Sequence, residues 1–196
     1  MATLILLRHL QSQWNKENRF AGWTDISLSK EGILSAKETA EKLADFKIDK
    51  VYTSPLSRNK ETVSLILDNL NKKDLPIVID KALDERNYGK LQGLNKEDAK
   101  MQFGEKKVHL WRRSWDIAPP GGESLKDVYQ RATPFFKKYI ENDLEEGKNV
   151  LVVASHNSLR AIVKYVEKMA DEDIINLEIP YAGLRKYEFT NGVYKK

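Results

Sequence analysis

Apolar and polar positions alternate along this chain in blocks that switch between two periods. Leu4-Ile5-Leu6-Leu7 is an unbroken apolar run, the pattern of a strand covered on both faces. After a polar stretch, Ser29 is placed to cap a helix whose inward stripe would be Leu34, Ala36, Ala40 and Leu43. Lys50 to Thr53 reads as a second strand, with Ser54-Pro55 opening a helix that carries Val63, Ile66, Leu67 and Leu70 at helical spacing. Pro76 to Ile79 is a third strand candidate. Asn149 to Ala154 is the most apolar strand of all and leads into a helix bearing Leu159, Ile162, Val163 and Val166. Residues 95 to 142 read as mostly helical, with a loop at Ala118-Pro119-Pro120-Gly121-Gly122 and a kink at Pro134. Leu184 to Lys195 reads as a hairpin turned at Thr190-Asn191-Gly192.

Strands alternating with helices predict an α/β protein: a three-layer α/β/α sandwich around a mostly parallel sheet. Its 196 residues suit one domain, residues 1–196, and no repeat or linker divides them. In such folds ligands gather at the carboxyl ends of the strands.

Composition narrows the function. No apolar run approaches the roughly 18 residues needed to cross a bilayer, and the first apolar run reads as a strand, not a secretion signal. With no cysteine there is no disulfide and no thiol nucleophile, and a cytoplasmic protein is expected. The net charge of +4 raises nucleic-acid binding, but the lysines are scattered among acids, so no nucleic-acid partner and no membrane partner are expected. The arginines differ. Arg8, Arg58, Arg86 and the Arg112-Arg113 pair stand beside small, aromatic or histidine residues, a placement suited to a small polyanion.

Two of the three histidines close predicted buried strands, at Arg8-His9 and Ser155-His156, and Arg58 follows the end of a third. The segment Arg8-His9-Leu10-Gln11-Ser12-Gln13-Trp14-Asn15 resembles the R-H-G-E/Q-S-x-W-N signature of phosphoglycerate mutases, members of the histidine phosphatase superfamily. The likeness runs on through Asn18 to Asp25, Thr53-Ser54 with Arg58, Asp84 to Gly89, Leu91 to Lys96, His109 to Ser114, Pro120 to Leu125 and His156 to Ala161. The resemblance is to the cofactor-dependent branch in its short form.

That resemblance implies roles. His9 would be the nucleophile, and a neutral imidazole can attack phosphorus without a separate base. Arg8, Arg58 and His156 would surround the phosphoryl oxygens. Glu85 would be the general acid/base; without the family context it reads as a surface carboxylate paired with Arg86. Among arginines its pKa should fall, and burial would have to offset that for it to shuttle protons near neutrality. Ser12, Asn15, Ala21 and Gly22 match the substrate loop. Tyr88, Lys96, Arg112 and Arg113 match the clamp on the far end of the substrate, and Arg86, Asn87 and Asn157 complete the implied binding set. Arg112-Arg113 taken alone could be a solvated helix face. His109 reads as structural or surface, and the tryptophans as packing residues.

The implied activity is interconversion of 3-phosphoglycerate and 2-phosphoglycerate in glycolysis and gluconeogenesis. It would run through a phosphohistidine at His9 primed by 2,3-bisphosphoglycerate, with no metal, in a dimer. The alternatives are a phosphatase of small phosphate esters, or a family member impaired at its site. The chain departs from the family pattern at three places, of which the first two motivate the last alternative. Leu10 replaces the glycine after the nucleophile, at about 1–2 kcal/mol if a positive φ is needed there. The H-G-N-S-L-R pattern lacks its glycine between His156 and Asn157. Tyr181-Ala182-Gly183-Leu184 stands for T-G-x-P.

Overall fold

The computed structural model describes residues 1–196. The strands are β1 (Ala2–Arg8), β2 (Lys50–Thr53), β3 (Ile77–Ile79), β4 (Val150–Ala154), β5 (Leu184–Thr190) and β6 (Val193–Lys195). They form one sheet in the order β3-β2-β4-β1-β5-β6. The first four are mutually parallel, and the β5–β6 hairpin adds an antiparallel edge beside β1. The sheet is therefore mixed with a parallel core, as the alternating pattern predicts.

Helices follow in chain order: α1 (Gln13–Lys16), α2 (Lys30–Leu34), α3 (Ala36–Glu41), α4 (Ser57–Asn69), α5 (Lys96–Phe103), α6 (Glu105–Arg113), α7 (Leu125–Phe135), α8 (Asn142–Glu145), α9 (His156–Glu167) and α10 (Asp171–Ile174). Alternate residues of each central strand feed opposite layers, as a pleated strand requires. Leu4, Leu6, Val150 and Val152 pack against Phe136, Ile140, Leu159 and Ile162. Ile5, Leu7, Val51 and Leu151 pack against Ala40, Leu43, Val63 and Ile66 on the other face. No helix is long and apolar enough to cross a membrane.

Two local expectations are corrected. The single helix after Ser29 is two, because the chain breaks at Ser35, and Leu34 ends α2 pointing to solvent at 80% exposure instead of joining the inward stripe. The next helix begins at Ser57 with Leu56 as its N-cap, two residues later than Ser54-Pro55 suggests. Pro134 does disturb its helix. Lacking an N–H, it removes one rung of the hydrogen-bond ladder, and the chain passes into a π-helical stretch, Phe136–Glu141.

The register fixes the site. Arg8 lies opposite Ala154, so β1 and β4 end level and deliver His9 and His156 to the same edge of the sheet. The His9 N–H continues the ladder to the Ala154 carbonyl at 3.1 Å.

Candidate active site

A cleft of about 160 Å³ opens at the carboxyl ends of β1, β2 and β4. His9, Glu85, His156, Arg8 and Arg58 all line it, as do Asn15, Ala21, Gly22, Tyr88, Lys96, Arg112, Arg113 and Asn157. The sequence reading missed Arg19, Phe20, Arg160, Glu178 and Tyr181 on the same wall. Seven cationic side chains (Arg8, Arg19, Arg58, Lys96, Arg112, Arg113, Arg160) face two carboxylates, Glu85 and Glu178. A cleft so charged is built for a polyanion.

His9 is 2% exposed, and its Nδ1 sits 2.6 Å from the Leu10 carbonyl. A carbonyl only accepts, so Nδ1 carries the hydrogen and Nε2 keeps the lone pair. Burial, then Arg58 and Arg8, hold the imidazole well below its usual pKa, so it is neutral near pH 7. Leu10, the first departure, lies outside the cleft. Its φ is not positive, its side chain is fully buried against Leu28 and Ala36, and its N–H donates to Thr62 Oγ1 at 3.1 Å. The conformational cost attached to leucine here is not incurred.

Arg58 is 1% exposed and donates to the carbonyls of Gly22 (2.7 Å) and Thr24 (3.1 Å). Gly22 adopts φ +54°, where a Cβ brings strain, and a Cβ there would also have to displace Gln92 Oε1, 2.1 Å away. Arg8 donates to the Ile179 carbonyl at 2.6 Å and lies 3.9 Å above the Tyr181 ring.

Glu85 is buried, not a surface carboxylate, and it meets the Arg86 backbone, not the Arg86 guanidinium. Its Oε1 accepts from the Arg86 N–H (2.6 Å), Asn157 Nδ2 (2.7 Å) and the Asn157 N–H (3.3 Å). Trp23 Nε1 and Arg131 hold its carbonyl at 2.6 and 2.9 Å. Burial pushes its pKa up, but His156, these hydrogen bonds and Arg58 outweigh burial, and the carboxyl lies below its usual range. The offset the sequence reading required is incomplete, so Glu85 rests ionised.

His156 opens α9 with Ser155 as its N-cap. Burial holds its pKa below the usual value even though Glu178 pushes it up. Asn157 lies in the first turn of α9, where its backbone and side chain both reach Glu85. Arg160 NH1 in turn donates to Asn157 Oδ1 at 3.0 Å.

Arg112 and Arg113 both face the cleft because α6 ends at Arg113 and the chain turns extended at Ser114. The solvated-face alternative fails for this pair. Lys96 is pushed down to about 8 by burial, then by Arg112, Arg8 and Arg113.

Three expected ligand contacts stand off the wall of the cleft. Ser12 is fully buried and caps α1, its Oγ accepting from the Asn15 N–H and donating to Asn15 Oδ1. Arg86 is buried beneath Tyr88 and donates to the Arg112 carbonyl at 3.1 Å, so it supports the clamp from behind. Asn87 folds its side chain back onto the Gly89 N–H at 2.7 Å. His109 is exposed, as read.

Residues 4–195 match the model of the histidine phosphatase superfamily (branch 1). A 2,3-bisphosphoglycerate-dependent phosphoglycerate mutase of Parvibaculum lavamentivorans is 44% identical over 98% of this chain and 94% of its own length. One from Chlamydia muridarum is 40% identical over 100% and 97%. The chain belongs to the histidine phosphatase superfamily, among its phosphoglycerate mutases. Solved structures agree on the superfamily fold. Bacillus stearothermophilus YhfR superposes with a TM-score of 0.88 at 24% identity, covering 100% of this chain and 95% of that one. A mycobacterial glucosyl-3-phosphoglycerate phosphatase in complex with VO3 superposes with a TM-score of 0.85 at 26% identity, covering 96% and 93%. The superfamily's scaffold therefore carries both mutases and phosphatases, and the residues of the cleft have to decide between them.

Proposed function

We propose that this chain interconverts 3-phosphoglycerate and 2-phosphoglycerate, as a glycolytic and gluconeogenic enzyme, by passing a phosphoryl group through His9 Nε2. One observation carries the choice of mutase over hydrolase. Lys96, Arg112 and Arg113 share the cleft with His9 and form a second cationic cluster. A hydrolase needs to hold only the phosphoryl group. An enzyme that returns the group to a different oxygen must also hold the rest of the substrate while it is repositioned. The cleft's excess of cations fits a bisphosphorylated priming ligand, and 2,3-bisphosphoglycerate, when bound, supplies the phosphoryl group that loads His9.

The remaining steps belong to the chain's own residues. Glu85, ionised at rest, takes the proton from the attacking hydroxyl of 3-phosphoglycerate as that oxygen bonds to phosphorus and the bond from phosphorus to His9 Nε2 breaks. Once the product has turned in the cleft, His9 Nε2 attacks the phosphorus at the other position, and Glu85 returns its proton to the oxygen released there. The phosphoryl charge in the cleft raises the Glu85 pKa while it holds that proton. Arg8, Arg58 and His156 stabilise the charge spread over the transferring oxygens. Arg58 is already desolvated and tied to backbone carbonyls, so it reorganises little during transfer. The exposed Ile77 and Ile79 on the free edge strand β3 support a homodimer in the same reading.

The test is incubation with 2,3-bisphosphoglycerate, intact mass and peptide mapping for phospho-His9, and a coupled assay of 3- to 2-phosphoglycerate conversion with His9→Ala as control. Phosphorylation at His9 with bisphosphate-dependent conversion is expected. Phosphate release without conversion would move the chain to the phosphatases, and a folded protein with unmodified His9 would sink the proposal.

A further inference from the structure

Glu178 is the second carboxylate on a wall otherwise built to receive one, and it is held differently from Glu85. Glu85 is buried and fixed by three donors, whereas the Glu178 side chain is 55% exposed and touches the site through two partners only. It pairs with Arg113 NH1, and its Oε2 lies 3.2 Å from His156 Nε2. No other carboxylate pairs with Arg113 or with His156. These partners come from the far-end clamp and from the phosphoryl pocket respectively. One carboxylate thus bridges the two places where a ligand's two anionic groups would sit.

His156 Nε2 is also 3.4 Å from the Ile179 N–H. The two contacts are alternatives, since a ring nitrogen carrying hydrogen cannot accept one. The shorter contact to the charged partner decides for Nε2–H donating to Glu178, the same hydrogen that a phosphoryl oxygen would need. Hydrogen bonds from His156 and Arg113 hold the Glu178 carboxyl down at about 2, so it is a full anion across the working range.

The segment around Glu178 is anchored. Ile179 is 2% exposed, its carbonyl accepts from Arg8, and Tyr181 lies beneath the same arginine. The carboxylate can therefore leave by side-chain rotation while the backbone stays.

We propose that Glu178 is a specificity-determining residue, a resident counter-anion that bridges Arg113 and His156 and that every ligand must displace. A ligand with one anionic group replaces one of the two lost contacts. A ligand with two, spaced like those of a phosphoglycerate, replaces both. Glu178 therefore lowers affinity for single anions such as inorganic phosphate more than for phosphoglycerates. This rests on the reading of the cleft as a phosphoglycerate site.

The experiment measures binding of inorganic phosphate and of 3-phosphoglycerate by calorimetry at fixed ionic strength. It compares the wild type, Glu178→Gln and Asp173→Asn. Asp173 is exposed on the same segment, is in no ion pair, and undergoes the same change of charge. Glu178→Gln should bind phosphate roughly 1.5- to fivefold more tightly, the range of a half-exposed ion pair, with a smaller gain for 3-phosphoglycerate. Asp173→Asn should match the wild type. Unchanged or weaker phosphate binding in Glu178→Gln overturns the inference alone. So does an equal gain for both ligands, or the same gain in Asp173→Asn, which would mark a long-range field and not an occupant. A wild type that binds neither ligand removes the phosphoglycerate reading, and this inference with it.

Discussion

Restoring the family's glycine after the nucleophile should damage this protein, not improve it. Leu10 is fully buried in a small cluster with Leu28 and Ala36, flanked by the partly buried Leu65 and Ala182. Truncating a buried leucine to alanine costs about 2–5 kcal/mol, depending on how far the site collapses. This cluster is small and Leu65 can settle inward, so Leu10→Ala falls at the lower end, about 2–3 kcal/mol. Glycine gains nothing from conformation here because φ is not positive. It adds a further ~0.5–1 kcal/mol of backbone entropy, which puts Leu10→Gly at about 2.5–4 kcal/mol. The backbone contacts to Thr62 and the His9 ring survive either change, so turnover of the folded fraction should stay near wild type. Equilibrium urea unfolding gives the stability, and a coupled mutase assay at a temperature where all variants are folded gives the rate. A Leu10→Gly protein as stable as the wild type, or one gaining tenfold or more in turnover, would refute this account and place the leucine in the way of the chemistry.

Two other changes should act in the opposite direction, both read by denaturant melts. Ala182 has φ +57° and stands second in the stretch where the family pattern reads T-G-x-P; Ala182→Gly relieves that strain against a higher unfolded-state entropy, and should stabilise by about 0.5–1 kcal/mol. Asp84 is raised to about 6 by burial, with Arg131 and Arg58 only partly offsetting this. A carboxyl raised in the folded state favours folding below about pH 4, and that advantage is lost as pH climbs through about 6. Asp84→Asn should therefore be more stable than the wild type by about 1–2 kcal/mol at pH 7.5, with the gap closing at pH 4; a gap independent of pH would contradict the assignment.

The strands were legible because a strand buried on both faces leaves an unbroken apolar run, and Lys50–Thr53 is observed with the bounds the pattern predicts. The break at Ser35 was not, since Leu34 looks as apolar in sequence whether it faces the core or the solvent. Within the site, residues at strand ends and in dense motifs were found. Glu178 was missed because it reaches the cleft through tertiary folding from a segment with no local signature, whereas Arg160 and Tyr181 lie in quoted stretches whose spacing alone gives them no role. Ser12 and Arg86 illustrate the converse. Their motifs are genuine, but capping and a buried prop are indistinguishable from ligand contact until neighbours are known. The conformational demand for glycine was sought at Leu10 and lies at Ala182.

The level ending of β1 and β4 reaches beyond catalysis. Ladder bonds between adjacent central strands hold His9 against the end of β4, whereas His156 stands past that end, in the turn that opens α9. Asn157, next to His156 in that turn, holds Glu85 through its side chain. The scaffold separates a strand-held half of the site from a turn-borne half. Remodelling this enzyme toward new phosphate esters should start in the latter.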